Sequence, residues 1–174
     1  TITPAGPFCE NASAVNLTGA SPGGTWSGTG ITNTSTGTFN PSVAGPGTWT
    51  ITYTIAGACG TTSTTDITVN PLPVVSFTGD VLSGCVPVTT TFTNTTAGTG
   101  TANWFIDGVN MSASTTTFTN TFNTPGCFDI TLQITSAAGC TNTATQNDMV
   151  CAYAYPVADF SYSPTDATVL NSTV

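Results

Sequence analysis

Apolar and polar residues alternate with a period of two in several stretches of the chain, and no stretch shows the 3.6-residue period of a helix. Between residues 48 and 55, Trp49, Ile51, Tyr53 and Ile55 fall on one face and Thr50, Thr52 and Thr54 on the other. Phe128, Ile130, Leu132 and Ile134 repeat that arrangement. Each stretch leads into a short Ala/Gly turn with a cysteine, Ala56-Gly57-Ala58-Cys59 or Ala137-Ala138-Gly139-Cys140. A Thr-rich strand follows, ending at Ile67-Thr68-Val69 or near Val150, and then a proline, Pro71 or Pro156. The pattern is an internal repeat of roughly 80 residues. Upstream, each copy has a strand that begins just after a cysteine: Cys9 before Val15 and Leu17, Cys85 before Val88, Thr90 and Phe92. Each also has a tryptophan on a middle strand, Trp26 or Trp104. Short strands with Gly/Pro turns every ten residues or so predict an all-β chain of two tandem β-sandwiches, residues 1–70 and 71–156. The link Asn70-Pro71-Leu72-Pro73 is short and stiff, which places the two end to end. Residues 157–174 read as the start of a further unit, too short to bury a core, hence a free tail or a strand added to a neighbouring edge.

Composition narrows the chemistry. The 174 residues include eight acidic side chains and no Lys, Arg or His, for a net charge of −8. Without cations the chain has nothing to replace the counterions of nucleic acid or to hold phosphate or polybasic-responsive lipid. Catalytic groups built on His or Lys and His-ligated metal sites are excluded, so the expectation is not an enzyme. No ion pair between side chains can form, and trypsin-like proteases find no cleavage site. About a quarter of the residues are Thr, which suits a pleated surface with its methyl inward and its hydroxyl toward water. Hydrophobic residues make up 39% and charged ones 5%, which separates this chain from a disordered Thr-rich stalk. No run of 18 apolar residues predicts a membrane span, and no signal peptide opens the chain, so it reads as an interior piece of a longer secreted protein.

Six cysteines could staple domains this small, and they point to an oxidising, extracellular compartment. Cys127 and Cys151 each lie twelve residues from Gly139, taken as the centre of the last hairpin, and both have the parity opposite to Phe128, Ile130 and Val150. That predicts an exposed cross-strand disulfide, Cys127–Cys151. For the other four, two schemes stand. Cys9–Cys59 and Cys85–Cys140 would staple each domain internally. In an immunoglobulin-like topology those positions sit at opposite ends of a strand roughly 25 Å long, whereas a disulfide spans Cα separations of about 7 Å at most. The alternative joins Cys9 to Cys140 across the domains and leaves Cys59 and Cys85 to neighbours. No Cys-x-x-Cys spacing supports a metal-thiolate site.

Residues 74–155 resemble a PKD-type domain of the kind repeated in tandem in Bacteroidetes surface proteins. The residues that carry this are Gly84-Cys85-Val86-Pro87 leading into Thr91-Phe92-Thr93-Asn94-Thr95, the Trp104 strand, Asn123-Thr124-Pro125-Gly126 and Ala138-Gly139-Cys140. Residues 1–70 are similar to the Ig-like repeats that accompany such domains, through Gly23-Gly24-Thr25-Trp26-Ser27-Gly28-Thr29-Gly30 and Gly37-Thr38-Phe39-Asn40-Pro41. The resemblance implies a giant cell-surface or secreted adhesin, of which gliding-motility adhesins exported by the type IX route are examples. One departure is that the family's Trp-Asp-Phe-Gly-Asp-Gly stretch is replaced here by Trp104-Phe105-Ile106-Asp107-Gly108, with one acidic residue fewer.

No cofactor is expected. Glu10, Asp66, Asp80, Asp107, Asp129, Asp148, Asp159 and Asp166 are scattered, with Asp107-Gly108 reading as a hairpin turn. Calcium at a domain junction, held for instance by Asp80 and Asp148, is the metal such oxygen donors would take. Asn11, Asn16, Asn33, Asn94, Asn110 and Asn171 open glycosylation sequons, most of them a by-product of composition. The functional expectation is a structural and adhesive repeat in a stiff, disulfide-stapled, protease-resistant extracellular stalk or fibre. Its partners would be neighbouring repeats, a surface polysaccharide, or other copies joined by strand addition. The alternative is a carbohydrate-binding module that stacks Trp26, Trp49 or Trp104 on sugars, against which stands the usual place of such tryptophans in a core.

Overall fold

A computed structural model describes residues 1–111 and 116–161. Strands account for 54% of these residues and helix for 3%, arranged as immunoglobulin-like sandwiches. β1 (Phe8–Cys9), β2 (Val15–Asn16), β3 (Thr25–Ser27), β4 (Ile31–Asn33), β5 (Thr38–Phe39), β6 (Gly47–Ile55) and β7 (Thr61–Asn70) come first. They form one sheet in the order β1-β7-β6-β3 and another in the order β2-β5-β4. The strands that follow are β8 (Phe77–Gly79), β9 (Ser83–Cys85), β10 (Val88–Asn94), β11 (Gly100–Ile106), β12 (Val109–Asn110), β13 (Thr117–Phe122), β14 (Gly126–Ser136) and β15 (Thr141–Tyr153). Their sheets run β13-β10-β8 and β12-β11-β14-β15-β9. Most sheet edges are strands of two or three residues, which limits the backbone template they offer for strand addition; β13, with six, is the longest edge.

The buried residues gather into two cores. Leu17, Trp26, Phe39, Ile51, Tyr53, Ile67 and Val69 form the first, drawing on both sheets. Trp26 packs on Tyr53 with ring centroids 4.4 Å apart. Gly37, at φ +67, lies so close beneath the indole that a Cβ would come within 2.6 Å of the ring. The Tyr53 hydroxyl donates to Ser21 O at 2.7 Å and accepts from the Gly24 N–H at 2.8 Å, so its burial leaves no polar atom unmatched. In the second core Trp104 is wholly buried, edge-on to Phe77 and flanked by Phe92 and Phe118.

The opposite faces show what the threonines do in a chain without side-chain ion pairs. Hydroxyls pair across strands at Thr89–Thr121 and Thr131–Thr145, both 2.8 Å, and at Thr135–Thr141, 2.9 Å, while Thr50 donates to Asp66 at 2.7 Å. Each such cross-strand pair contributes roughly 0.2–1 kcal/mol. Among the described residues no buried side-chain nitrogen or oxygen lacks a partner.

One element escapes the period-two reading. Residues Pro41–Ala44 form a single helical turn, α1, whose start is capped by the Asn40 side chain accepting the Ser42 N–H at 3.1 Å. The signal was local, Asn followed by Pro at the first helical position, and one turn is too short to show periodicity.

The last hairpin departs from simple symmetry. From Thr135↔Thr141 to Ile130↔Gln146 its register is centred on Ala138, one residue before Gly139. Continued unchanged, that register would set Cys127 opposite Met149. Between Ile130 and Phe128, however, Asn147, Asp148 and Met149 face the single residue Asp129, with Asp148 at φ +49. This irregularity restores Phe128↔Val150 and Cys127↔Cys151. The pair derived from the sequence is thus present, but the assumed centre was one residue out and the bulge compensates.

Residues 156–160, Pro-Val-Ala-Asp-Phe, repeat the pattern of residues 73–77, Pro-Val-Val-Ser-Phe. Phe77 is 5% exposed in the second core, whereas Phe160 is 85% exposed. The expectation of a free or edge-paired tail falls largely on residues 162–174, together with Asp166 and Asn171, and these lie outside the described residues.

Candidate functional site

The chemistry of this chain is concentrated in its cysteines, and the strands decide where each one sits. β1 runs parallel to the end of β7, with Cys9 opposite Asn70, and the next N–H, from Glu10, donates to Asn70 O at 2.9 Å. Cys9 is thereby held where the chain leaves the first sandwich. In the second sandwich Cys140 occupies the β14–β15 turn, closed by Gly139 N–H to Ser136 O at 2.9 Å and Ser136 N–H to Cys140 O at 2.8 Å. The Asn142 amide donates to the linker carbonyl of Pro73 at 3.0 Å, so this turn lies beside the incoming chain. Cys9 and Cys140 form a disulfide with Cα atoms 5.5 Å apart, closing 131 residues of sequence. It joins the end of the first sandwich from which the chain leaves, at Asn70, to the end of the second at which the chain enters, beside Pro73.

Cys127 and Cys151 form the second disulfide, Cα atoms 4.1 Å apart. The Cys151 N–H turns away from β14 and donates to Leu82 O at 2.9 Å. That leaves the cysteines as a close, non-hydrogen-bonded cross-strand pair, the spacing a bridge needs.

Cys59 and Cys85 are exposed free thiols in this chain, so of the two schemes the sequence left open the structure has the one that joins Cys9 to Cys140, and not the in-domain pairs Cys9–Cys59 and Cys85–Cys140. Cys59 follows the β6 turn and precedes β7, so the ten residues of β7 separate it from Cys9. Cys85 pairs with Tyr153, and the thirteen residues of β15 separate it from Cys140. Strands of that length, roughly 30–40 Å, put both in-domain bridges out of reach.

The other residues singled out from sequence have structural positions. Trp26 and Trp104 are buried, at 4% and 0% exposure, so neither offers a face to a sugar. Trp49 is half-buried, and its indole N–H donates to Gly45 O at 2.9 Å. Among the described residues the exposed aromatic side chains are instead Tyr153, Tyr155 and Phe160. Asp107 (φ +48) and Gly108 (φ +77) turn β11 into β12, and the Asp107 carboxylate accepts the Asp129 N–H at 2.8 Å. The Asp129 carboxylate in turn accepts the Asp148 N–H at 2.7 Å within the bulge. Among the described residues no three His, Cys, Asp or Glu side chains come together as a metal site.

The Asp80 carboxylate accepts two backbone N–H groups. The Thr91 N–H, at 2.7 Å, holds its carboxyl below the ordinary value of 3.8; partial desolvation opposes this, and the Val81 N–H, also at 2.7 Å, adds to it. A depressed folded-state value stabilises above the unfolded carboxylate range, and the contribution is lost as pH falls through the folded value. Asp80→Asn is therefore expected to flatten the acid limb of second-sandwich stability, read by denaturant titration across the range below 3.8. Identical acid limbs in the two proteins would refute this.

No family model matches the chain, and no curated protein matches it by sequence. Among solved structures, the fibronectin(III)-like modules of Clostridium thermocellum CbhA align over 93% of this chain and 99% of theirs, at 11% identity and a TM-score of 0.42. Sidekick-1 immunoglobulin domains 1–4 align over 84% of this chain and 46% of theirs, at 14% identity and a TM-score of 0.34. The Bacteroides ovatus glucan-locus protein SGBP-B, solved with a mixed-linkage heptasaccharide, aligns over 84% of this chain and 42% of its own, at 14% identity and a TM-score of 0.26. Likenesses this distant say nothing of ligand or activity. Strand content, sheet order and the two disulfides define an Ig-like tandem module whose cross-links fit an oxidising, extracellular setting. No helix among the described residues is long and apolar enough to cross a membrane.

Proposed function

We propose that this chain is a load-bearing repeat segment of a large extracellular adhesin or fibre, with its sandwiches set in line as a stapled stalk. The observation that carries this reading is the Cys9–Cys140 bond between consecutive sandwiches. A single short linker lets two domains pivot; a second covalent connection removes most of that freedom. The linker is itself half-enclosed, with Pro71, Leu72, Pro73 and Val74 lining a cleft of about 400 Å³ against Gly98, Gly100 and Ile134. The lack of Lys and Arg adds resistance to trypsin-like proteases, a useful property for a thread outside the cell. The resemblance to Bacteroidetes gliding and type IX adhesins supports the same role. A carbohydrate-binding role would draw on exposed aromatic residues such as Tyr153, Tyr155 and Phe160, since Trp26 and Trp104 are buried.

Small-angle scattering of the oxidised chain tests the in-line arrangement. β7 and β15 laid end to end, with the linker between them, give a maximum dimension of roughly 80–90 Å. A side-by-side pair would be roughly half as long. A compact particle would overturn the stalk reading.

A further inference from the structure

The Cys9–Cys140 bond has two kinds of partner: a cysteine on a short parallel strand hooked to the end of a sandwich's last strand, and a cysteine in the turn of the next sandwich's last hairpin, beside the incoming linker. Both kinds occur once more in this chain, unbonded. Cys85 ends β9, which lies parallel to the end of β15 just as β1 lies along β7. The equivalent hydrogen bond is present, Val86 N–H to Tyr153 O at 2.9 Å, matching Glu10 N–H to Asn70 O at 2.9 Å. Cys59 lies in the β6–β7 turn, closed by Gly60 N–H to Gly57 O at 3.0 Å, and so holds the place that Cys140 holds in the β14–β15 turn. Both thiols are exposed, and they sit at opposite ends of the molecule's strand order: the β6–β7 turn, the stapled junction, then the hooked end of β15.

We infer that Cys85 of one copy bonds Cys59 of a second copy, joining molecules head to tail through a staple of the same kind as Cys9–Cys140. The inference builds on the stalk reading and extends it from a segment to an assembly. Because the two cysteines sit at opposite ends, the contact is heterologous and propagates as a line instead of closing a two-fold dimer. Charge favours this polarity. Residues 11–65, which include the Cys59 turn, hold no charged side chain, whereas Asp80, Asp107, Asp129 and Asp148 all belong to the sandwich that carries Cys85. Head-to-tail contact therefore sets a neutral end against an acidic one, while a Cys85–Cys85 contact would oppose two acidic ends. The Cys85 end also exposes apolar surface. Leu82, whose carbonyl accepts the Cys151 N–H, and Tyr153, beside Cys85 itself, are 45% and 56% exposed.

The bond forms by thiol–disulfide exchange with a low-molecular-weight disulfide such as oxidised glutathione. The Cys85 thiolate attacks one sulfur, breaking the S–S bond and releasing one glutathione thiolate. The Cys59 thiolate of the second copy then displaces the other. One protein disulfide forms, one glutathione disulfide is reduced, and the two protons from the cysteines end on two glutathiones.

Two variants of the full chain test it. Cys59→Ser keeps only Cys85 and Cys85→Ser keeps only Cys59; each retains both internal disulfides. Mixed in equal amounts in a glutathione redox buffer at 0.15 M salt, they are expected to give heterodimer over all homodimer by about tenfold, a preference of about 1.4 kcal/mol. Peptic peptide mapping should place the bond at Cys59–Cys85, and the wild-type chain should give a reducible ladder. A statistical mixture, with heterodimer equal to the two homodimers combined, overturns the inference, as do monomers carrying glutathione on the remaining thiol. Scattering of the wild-type monomer separates the two ideas, since an elongated monomer that does not join preserves the stalk reading and sinks only the head-to-tail bond.

Discussion

Pulled by its two ends in a single-molecule force experiment, the oxidised chain is expected to yield little length until it is reduced, and then to gain about 450 Å. The gain follows from the position of the staple. Cys9 and Cys140 are 131 residues apart in sequence, and an extended residue spans roughly 3.3–3.6 Å. While the bond holds, load entering at the N-terminus passes from Cys9 directly to Cys140 and then along β15. Residues 10–139, with nearly all of the first core and most of the second, carry none of it. Replacing Cys9 and Cys140 by Ser should expose a smaller length, about 370 Å, because Cys127–Cys151 still encloses 24 residues. A gain of only about 80 Å on reduction, the 24 residues enclosed by Cys127–Cys151, would mean that the staple does not form in solution. The same cross-link constrains the unfolded chain, and for a loop this long the chain-entropy model gives stabilisation of about 5 kcal/mol.

Trp104→Ala is expected to unfold the second sandwich under conditions where the first stays folded. The indole is wholly buried, with Phe77 edge-on at 5.3 Å, Phe92 at 5.8 Å and Phe118 at 6.0 Å. Removing a buried tryptophan costs about 3–5 kcal/mol, and a sandwich of this size holds a total stability on the order of 4–12 kcal/mol. At roughly 4–8 °C per kcal/mol for a domain of this length, the second transition should drop by roughly 15–30 °C. Calorimetry would show it, with the near-ultraviolet signal of the Trp26–Tyr53 pair reporting separately on the first sandwich. If Trp104→Ala and Trp26→Ala lower one common transition, the staple has merged the two cores into a single cooperative unit.

Both expectations depend on features that differ in how far the sequence reveals them. The strands were readable because a half-buried sheet imposes a period of two on its own side chains. Trp49, Ile51, Tyr53 and Ile55 carry that signal within eight residues, and Phe128 to Ile134 carry it again. The class of chemistry was readable because it followed from absent side chains, which no fold can supply. The single turn at Pro41–Ala44 was missed, although Asn40-Pro41 marked it, because its signal is a cap and not a period.

What remained open in the sequence was a matter of ends. Cys9 could be assigned to Cys59 or to Cys140, since spacing along the chain says nothing of which end of a strand a loop returns to. That was decided by β1 lying parallel to β7, which sets Cys9 at Asn70 and leaves Cys59 ten residues away along the strand. Likewise, the opposition of Cys127 and Cys151 depends on the three residues that face Asp129, a local irregularity that parity counting cannot foresee. By itself the sequence determined the all-β fold, the repeat, the apolar faces of the long strands and the excluded chemistries, because these follow from side-chain type and local period. Only the tertiary structure decided which of the other four thiols meet, because a disulfide requires Cα atoms within about 7 Å, and that proximity depends on strand direction and register.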